Sequence, residues 1–167
     1  QYIMNYTSIV NHLRDGSFSL WDFSNGLGIN MFNFNLFDPF LMLLYAIGVV
    51  LGPAHMLLYI NVIQIIKILA AGMVFYWFLS QFTFSWQAKT VASYVYGLNG
   101  FLLVWGQHYQ FGTAVIYLPL LLLFCEKFIK KKKGRALFPV MVFLCGIYSV
   151  YFTYMCLAAT GLYLLFR

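Results

Sequence analysis

The sequence predicts an all-α fold, a polytopic bundle of membrane helices, and three observations predict it. Of the 167 residues, 63% are hydrophobic and only 8% charged, whereas a soluble domain carries roughly a quarter charged residues. Apolar runs such as His55 to Leu79 exceed the ~20 residues needed to cross a bilayer. The basic residues gather in one block, "KKKKGR" (Lys130 to Arg135), directly after an apolar run. That placement follows the positive-inside rule, so the net charge of +6 predicts no nucleic-acid partner. About five membrane-crossing helices are expected.

The elements follow in order. Residues 1–38 are the one extended polar region. In "QYIMNYTSIVNHLRDG", Tyr2, Tyr6, Ile9 and Leu13 recur at helical spacing, and Asp15-Gly16 ends the run. This predicts an amphipathic helix lying at a membrane surface. "SFSLWDFSNGLGINMFNFN" is dense in turn formers and aromatics and reads as an ordered loop. Residues 39–54 hold a short apolar helix. Its 14 residues from Pro39 to Gly52 rise only ~21 Å, short of the ~30 Å hydrocarbon core, so it is expected to be re-entrant or interfacial. Residues 55–167 form the bundle, with crossings expected over 55–79, 89–105, 113–129, 136–148 and 150–166. The last two come from one apolar stretch whose middle, "YSVYFTY", predicts two short helices meeting in a turn.

Charge sets the expected orientation. With "KKKKGR" cytoplasmic, counting back places His108 and His55 outside and Lys89 inside. Eight of the ten basic residues then lie in the cytoplasm, the exceptions being Arg14 and Lys67. Trp77 and Trp86 fall at the inner interface and Trp105 at the outer one. Residues 1–38 are expected outside the cell, in keeping with their single basic residue. Cys125, Cys145 and Cys156 sit in apolar runs without CxxC spacing and read as packing residues, not metal ligands. The chain starts at Gln1, without initiator Met or signal peptide, and ends directly after an apolar run. It is expected to be a piece of a longer protein.

Lys67 is the residue that composition does not explain. A charge at mid-membrane depth costs roughly 2.5–3.5 kcal/mol on insertion scales. The four acids are Asp15, Asp22, Asp38 and Glu126, and Glu126, beside Lys127, reads as a solvated interface residue. The expected partner of Lys67 is therefore a loop aspartate, a residue outside this sequence or an anionic ligand. Asn61, Gln64 and Lys67, spaced i, i+3, i+6, share one broad helix face. That face suits a lipid phosphate; the alternatives are helix–helix hydrogen bonding and snorkelling of the lysine to headgroups.

The loop motifs divide in the same way. "LWDFSNGLGIN" sets Asp22, Asn25 and Asn30 among Trp21 and Phe23. Rings covering apolar sugar faces beside hydroxyl-binding groups would bind a carbohydrate; the alternative is a loop held by its own Asx turns. His108 is either a proton-transfer group in an outer cleft or an interface residue. Tyr148, Tyr151 and Tyr154 line either the same vestibule or a plain aromatic belt.

These segments resemble a known family. "QY" with its amphipathic helix, "DGSFSLWDFSNGLGIN" and "FDPF" are similar to the first outer loop of the bacterial YfhO-like membrane proteins. "QIIKILAAGMVFYWFL", "YGLNGFLLVWGQHYQF", "IYLPLLLLFCEKFIK" and "YSVYFTYM" are similar to that family's next helices, in the same order. The resemblance implies a GT-C-like glycosyltransferase fold in the bacterial cell membrane. It implies transfer of a sugar from a polyprenyl-phosphate donor to a cell-envelope polymer acceptor such as lipoteichoic acid, on the outer face. It places the catalytic aspartate shortly before "QY", ahead of Gln1, so no residue here is assigned as the base. An inverting displacement would leave negative charge on the departing phosphate, which Lys67, or secondarily Arg14, would stabilise. The candidate substrate-binding residues are Arg14, Trp21, Asp22, Asn25, Asn30, Asp38, Asn61, Gln64, Lys67 and His108. Membrane lipids are the other expected partner; no cofactor or metal is expected. A transporter or flippase of a lipid-linked sugar is the competing reading, and a structural membrane subunit the third.

Overall fold

The structure, a computed structural model, describes residues 2–17, 21–23, 28–30, 37–104, 108–109, 111–131 and 134–167. Among the described residues it is all-α apart from one short antiparallel ladder. In chain order the elements are α1 (Tyr2–Arg14), β1 (Trp21–Asp22), β2 (Ile29–Asn30), α2 (Pro39–Leu51), a 3-10 turn (Pro53–His55), α3 (Met56–Leu79), α4 (Trp86–Gly97), α5 (Gly100–Val104), α6 (Ala114–Ile129), α7 (Leu137–Tyr148) and α8 (Val150–Phe166). They divide into two compact units, Gln1–Ile65 and Ile66–Arg167.

In the first unit α2 starts where its sequence dictates. Asp38 accepts a hydrogen bond from the Phe40 amide at 2.9 Å and Pro39 occupies the first turn, where its missing N–H is not needed. Gly52, at φ 89°, ends the helix, and Pro53 prevents its continuation. α1 lays Tyr6, Ile9 and Val10, all buried, onto α2. The Tyr6 and Tyr45 rings meet edge to face at 6.0 Å. A methyl group on Gly48 would lie 2.7 Å from Val10 Cγ2, so the helices approach there only because Gly48 has no side chain. This corrects the expected face. Asn5 and Val10 join it, packed against α2, whereas Leu13 is 41% exposed, with Ile3 and Met4 also exposed. The Tyr2 side chain lies outside the described residues.

The second unit is built around α6. Ala114, Tyr117 and Leu121 pack with Cys145 and Tyr148 of α7 and Cys156 of α8. Tyr117 and Tyr148 stack at 5.4 Å. α7 and α8 are separated by Ser149 alone, in an extended conformation, so one residue redirects the chain. α3 and α4 cross through small residues: a methyl on Gly72 would meet the Ser93 carbonyl at 3.1 Å, and one on Gly97 the Ile68 carbonyl at 3.1 Å. Close backbone approach through small residues is how membrane helices associate. Pro119 lies inside α6 and leaves the Val115 carbonyl without its helical donor. The Tyr96 hydroxyl of α4 supplies one, at 2.7 Å.

Two expectations are corrected in this unit. The segment 89–105 is not one helix: α4 stops at Gly97, Asn99 Nδ2 donates to the Tyr96 carbonyl at 2.6 Å, and Asn99 Oδ1 accepts from the Leu102 amide at 2.9 Å. One side chain thus closes α4 and caps α5. Trp105 lies outside the described residues. Glu126 is not a solvated interface residue either. It is fully buried, paired with Lys130 at 2.8 Å and Arg167 at 2.7 Å, and accepts from the Tyr163 hydroxyl.

Among the described residues one stretch, Pro53–Leu79, is long and apolar enough to cross a membrane unaided. The helices at the other expected crossings run 12 residues (α4), 16 (α6), 12 (α7) and 17 (α8), and at ~1.5 Å per residue even the longest rises only ~26 Å.

Candidate functional site

Lys67 is completely buried on α3. Its ammonium Nζ donates to the main-chain carbonyl of Tyr109 at 2.6 Å. Burial removes the snorkelling alternative, because the side chain does not reach the surface. A peptide oxygen is thus one partner of this ammonium. Sequence reasoning misses such a partner because every residue carries a carbonyl and none advertises it.

The bond also places His108 one residue from the Lys67 anchor. His108 is half-buried and its ring stacks on Phe111 at 5.5 Å. Phe111 contacts Phe152 at 5.4 Å, and Phe152 continues to Tyr148 at 6.0 Å. The His108 ring thus begins a row of rings leading into the α6–α7–α8 core, and its chain neighbour Tyr109 holds Lys67. Of the three tyrosines read as vestibule or belt, Tyr148 belongs to that core, whereas Tyr151 and Tyr154 are 68% and 73% exposed.

A family model described as "Bacterial membrane protein YfhO" matches residues 1–167, the full length of the sequence. The chain belongs to the YfhO family. It is therefore a bacterial membrane protein, in keeping with the membrane-length stretch Pro53–Leu79. No curated protein and no solved structure matches it.

The remaining candidate residues of this YfhO-family chain fall in or beside the first unit. β1 pairs with β2 so that Trp21 faces Asn30 and Asp22 faces Ile29. Gly28, at φ 102°, lies directly under the Trp21 indole, where any side chain would collide with the ring. Trp21 and Phe23 are exposed, with ring centroids 6.4 Å apart. Asp22 is buried and accepts from the Ser8 hydroxyl of α1 at 2.5 Å. The rings thus face outward and the carboxylate inward. Asn30 is exposed, and Asn25 lies outside the described residues. Asp38 is buried and caps α2. Arg14 is exposed at the end of α1, its guanidinium 3.4 Å from where a Gly52 Cβ would stand. It thus sits by the carboxy-terminal ends of two helices, where cations are favoured.

The polar face expected on α3 is graded. Asn61 is exposed. The amide nitrogen and oxygen of Gln64 are buried with no hydrogen-bond partner among the described residues. An unmet buried amide costs about 1–3 kcal/mol, a cost a ligand or further protein would remove. Ser8, the Tyr109 carbonyl and the Glu126 network are absent from the sequence reading, since each depends on a long-range contact.

Proposed function

We propose that this YfhO-family chain is part of a GT-C-type membrane glycosyltransferase. It moves a sugar from a polyprenyl-phosphate donor to a cell-envelope polymer such as lipoteichoic acid, on the outer face of a bundle that crosses the bilayer about five times. The observation carrying the reading is the ammonium of Lys67, buried beside the 108–109 loop. A cation kept inside an apolar bundle has a use where a phosphate departs. In the reaction an acceptor hydroxyl oxygen attacks the anomeric carbon, the bond from that carbon to the phosphate oxygen breaks, and polyprenyl phosphate leaves. The hydroxyl proton passes to a base that we assign to none of these residues. A phosphate approaching Lys67 takes the place of the Tyr109 carbonyl, so the 108–109 loop is the element that yields. Trp21 and Phe23 offer the rings for sugar stacking.

The test is Lys67→Met in the full-length protein, with Lys67→Arg beside it. Polymer glycosylation is expected to vanish in the first and to persist in part in the second, with both proteins present in the membrane at normal abundance. Unchanged glycosylation in Lys67→Met ends the proposal.

A second reading, a transporter or flippase of a lipid-linked sugar, draws on Gln64. A buried amide without a partner is what a polar conduit presents to passing hydroxyls. Proteoliposomes carrying labelled lipid-linked sugar separate the two: a flippase moves the label across the bilayer without acceptor, and a transferase releases polyprenyl phosphate only when acceptor is present.

A further inference from the structure

A second site stands at the other end of α3, built by residues that the proposed chemistry does not use. A cavity of about 390 Å³ opens between the end of α3 and the face of α6, within the roughly 300–1,000 Å³ range of small-ligand pockets. Trp77, Leu120, Leu123 and Phe124 form its apolar wall; Ser80, Gln81 and Lys127 form its polar rim. Trp77 is half exposed, as an interfacial tryptophan is.

The charges around it are unequal. Glu126, the adjacent acid, is turned away and engaged by Lys130, Arg167 and Tyr163. Lys130 is further fixed by the Gln81 carbonyl at 2.6 Å and lies over the Phe82 ring at 4.7 Å, which holds the Gln81 side of the cavity in place. Lys127 is left over. Its Nζ lies 5.0 Å from the Phe124 ring centroid, and no carboxylate pairs with it among the described residues. The lysine run follows immediately. An ammonium in the last turn of α6, at the mouth of an apolar cavity that also takes in the end of the membrane-length stretch Pro53–Leu79, calls for a ligand with an anionic head and an apolar tail.

We infer that this cavity binds one acidic glycerophospholipid of the surrounding leaflet. The phosphate sits at Lys127, a headgroup hydroxyl donates to Ser80 Oγ, whose own proton goes to the Tyr76 carbonyl at 2.8 Å, and the first acyl methylenes run along Trp77, Leu120 and Leu123. A soluble anion would gain nothing from that wall. Basic pockets between helices at the cytoplasmic surface are suited to anionic headgroups, and the lysine run marks this end as cytoplasmic. The inference is independent of sugar transfer, and its test reads binding alone.

The full-length protein is titrated in detergent with phosphatidylglycerol or phosphatidylcholine and the bound lipid is read by native mass spectrometry. Phosphatidylglycerol is expected to be retained in preference. Lys127→Ala should weaken it about fivefold, the effect of roughly 1 kcal/mol for one interfacial cation. Leu123→Trp, which fills the wall, should weaken it comparably, and Lys131→Ala, an exposed control, should leave it within about twofold, as expected of a cation outside the pocket. Each variant is accompanied by its Tm; Lys127→Gln replaces Lys127→Ala, and Leu123→Phe replaces Leu123→Trp, where the first unfolds. Equal losses for Lys127→Ala and Lys131→Ala would mean diffuse attraction and overturn the inference. So would wild-type indifference between the two lipids, or binding that survives Leu123→Trp and is displaced by inorganic phosphate, which would mark a free-anion site.

Discussion

The hydroxyl of Tyr96 donates to the carbonyl of Val115, 2.7 Å away, and Val115 is the residue that Pro119 deprives of its helical partner. Two helices are thus joined by a defect in one of them. In a bilayer an unmet carbonyl has no water to turn to, so the bond closes an account that Pro119 opens. Tyr96→Phe should destabilise the protein by about 1–3 kcal/mol. Pro119→Ala restores the amide donor and should make the same change nearly neutral. Thermal unfolding of the four proteins of the cycle checks this; a Tyr96→Phe penalty that is unaltered by Pro119→Ala would show that the hydroxyl serves something other than Val115.

Gly48 and Val10 make a comparable pair in the first unit. Gly48→Ala sets a methyl 2.7 Å from Val10 Cγ2, and valine, with its single stiff torsion, has little room to yield. Overpacking of this kind costs about 1–3 kcal/mol. Val10→Ala should recover most of it. A double variant no more stable than Gly48→Ala alone would place the strain elsewhere.

How much of this is legible in sequence follows from the range of each signal. Membrane class and family are written in local features: apolar runs, the lysine block and the order of aromatic and glycine motifs. The division of 89–105 is not. Apolar composition continues through "LNGFLLVW", and the helix ends because Asn99 bonds backbone on both sides of itself, a choice that composition does not record. Lys67 is conspicuous in sequence as a charge among apolar residues, yet nothing local points to the carbonyl 42 residues away that accepts from it. Glu126 misleads for the opposite reason: with Lys127 next to it, a nearby cation seems to account for it, whereas its structural partners are Lys130 and two residues of the α8 end, Tyr163 and Arg167. The bond from Ser8 to Asp22 spans 14 residues, and nothing in the local motif around the aspartate records it.

The burial of Glu126 sets an asymmetry between the acid and its cations. The Lys130 and Arg167 side chains are 25% and 39% exposed, whereas Glu126 has no exposed surface. Losing the acid lets the cations turn to solvent; losing the cations strands a carboxylate in the interior, the costlier of the two. Lys130→Met combined with Arg167→Met should therefore lower Tm more than Glu126→Gln does. The reverse order would show that the carboxylate can reach water by a small rearrangement and is not locked between α6 and α8.

Sidedness is the most direct test of the proposed chemistry, because a polymer acceptor outside the cell requires the first loop to be outside too. Phe23 is 76% exposed and Lys131 stands in the exposed turn after α6. The three thiols of this sequence, Cys125, Cys145 and Cys156, are all buried, and the parent protein without an added cysteine gives the labelling background. A membrane-impermeant maleimide added to intact cells should label Phe23→Cys and spare Lys131→Cys, which should react only after lysis. The positive-inside rule motivates the second half of that pattern; the scarcity of basic residues in 1–38 motivates the first. If Phe23→Cys reacts only after lysis, the loop that would hold the sugar faces the cytoplasm, and an extracellular transferase reading is excluded however Lys67 behaves. If both positions react in intact cells, the lysine run no longer fixes the orientation.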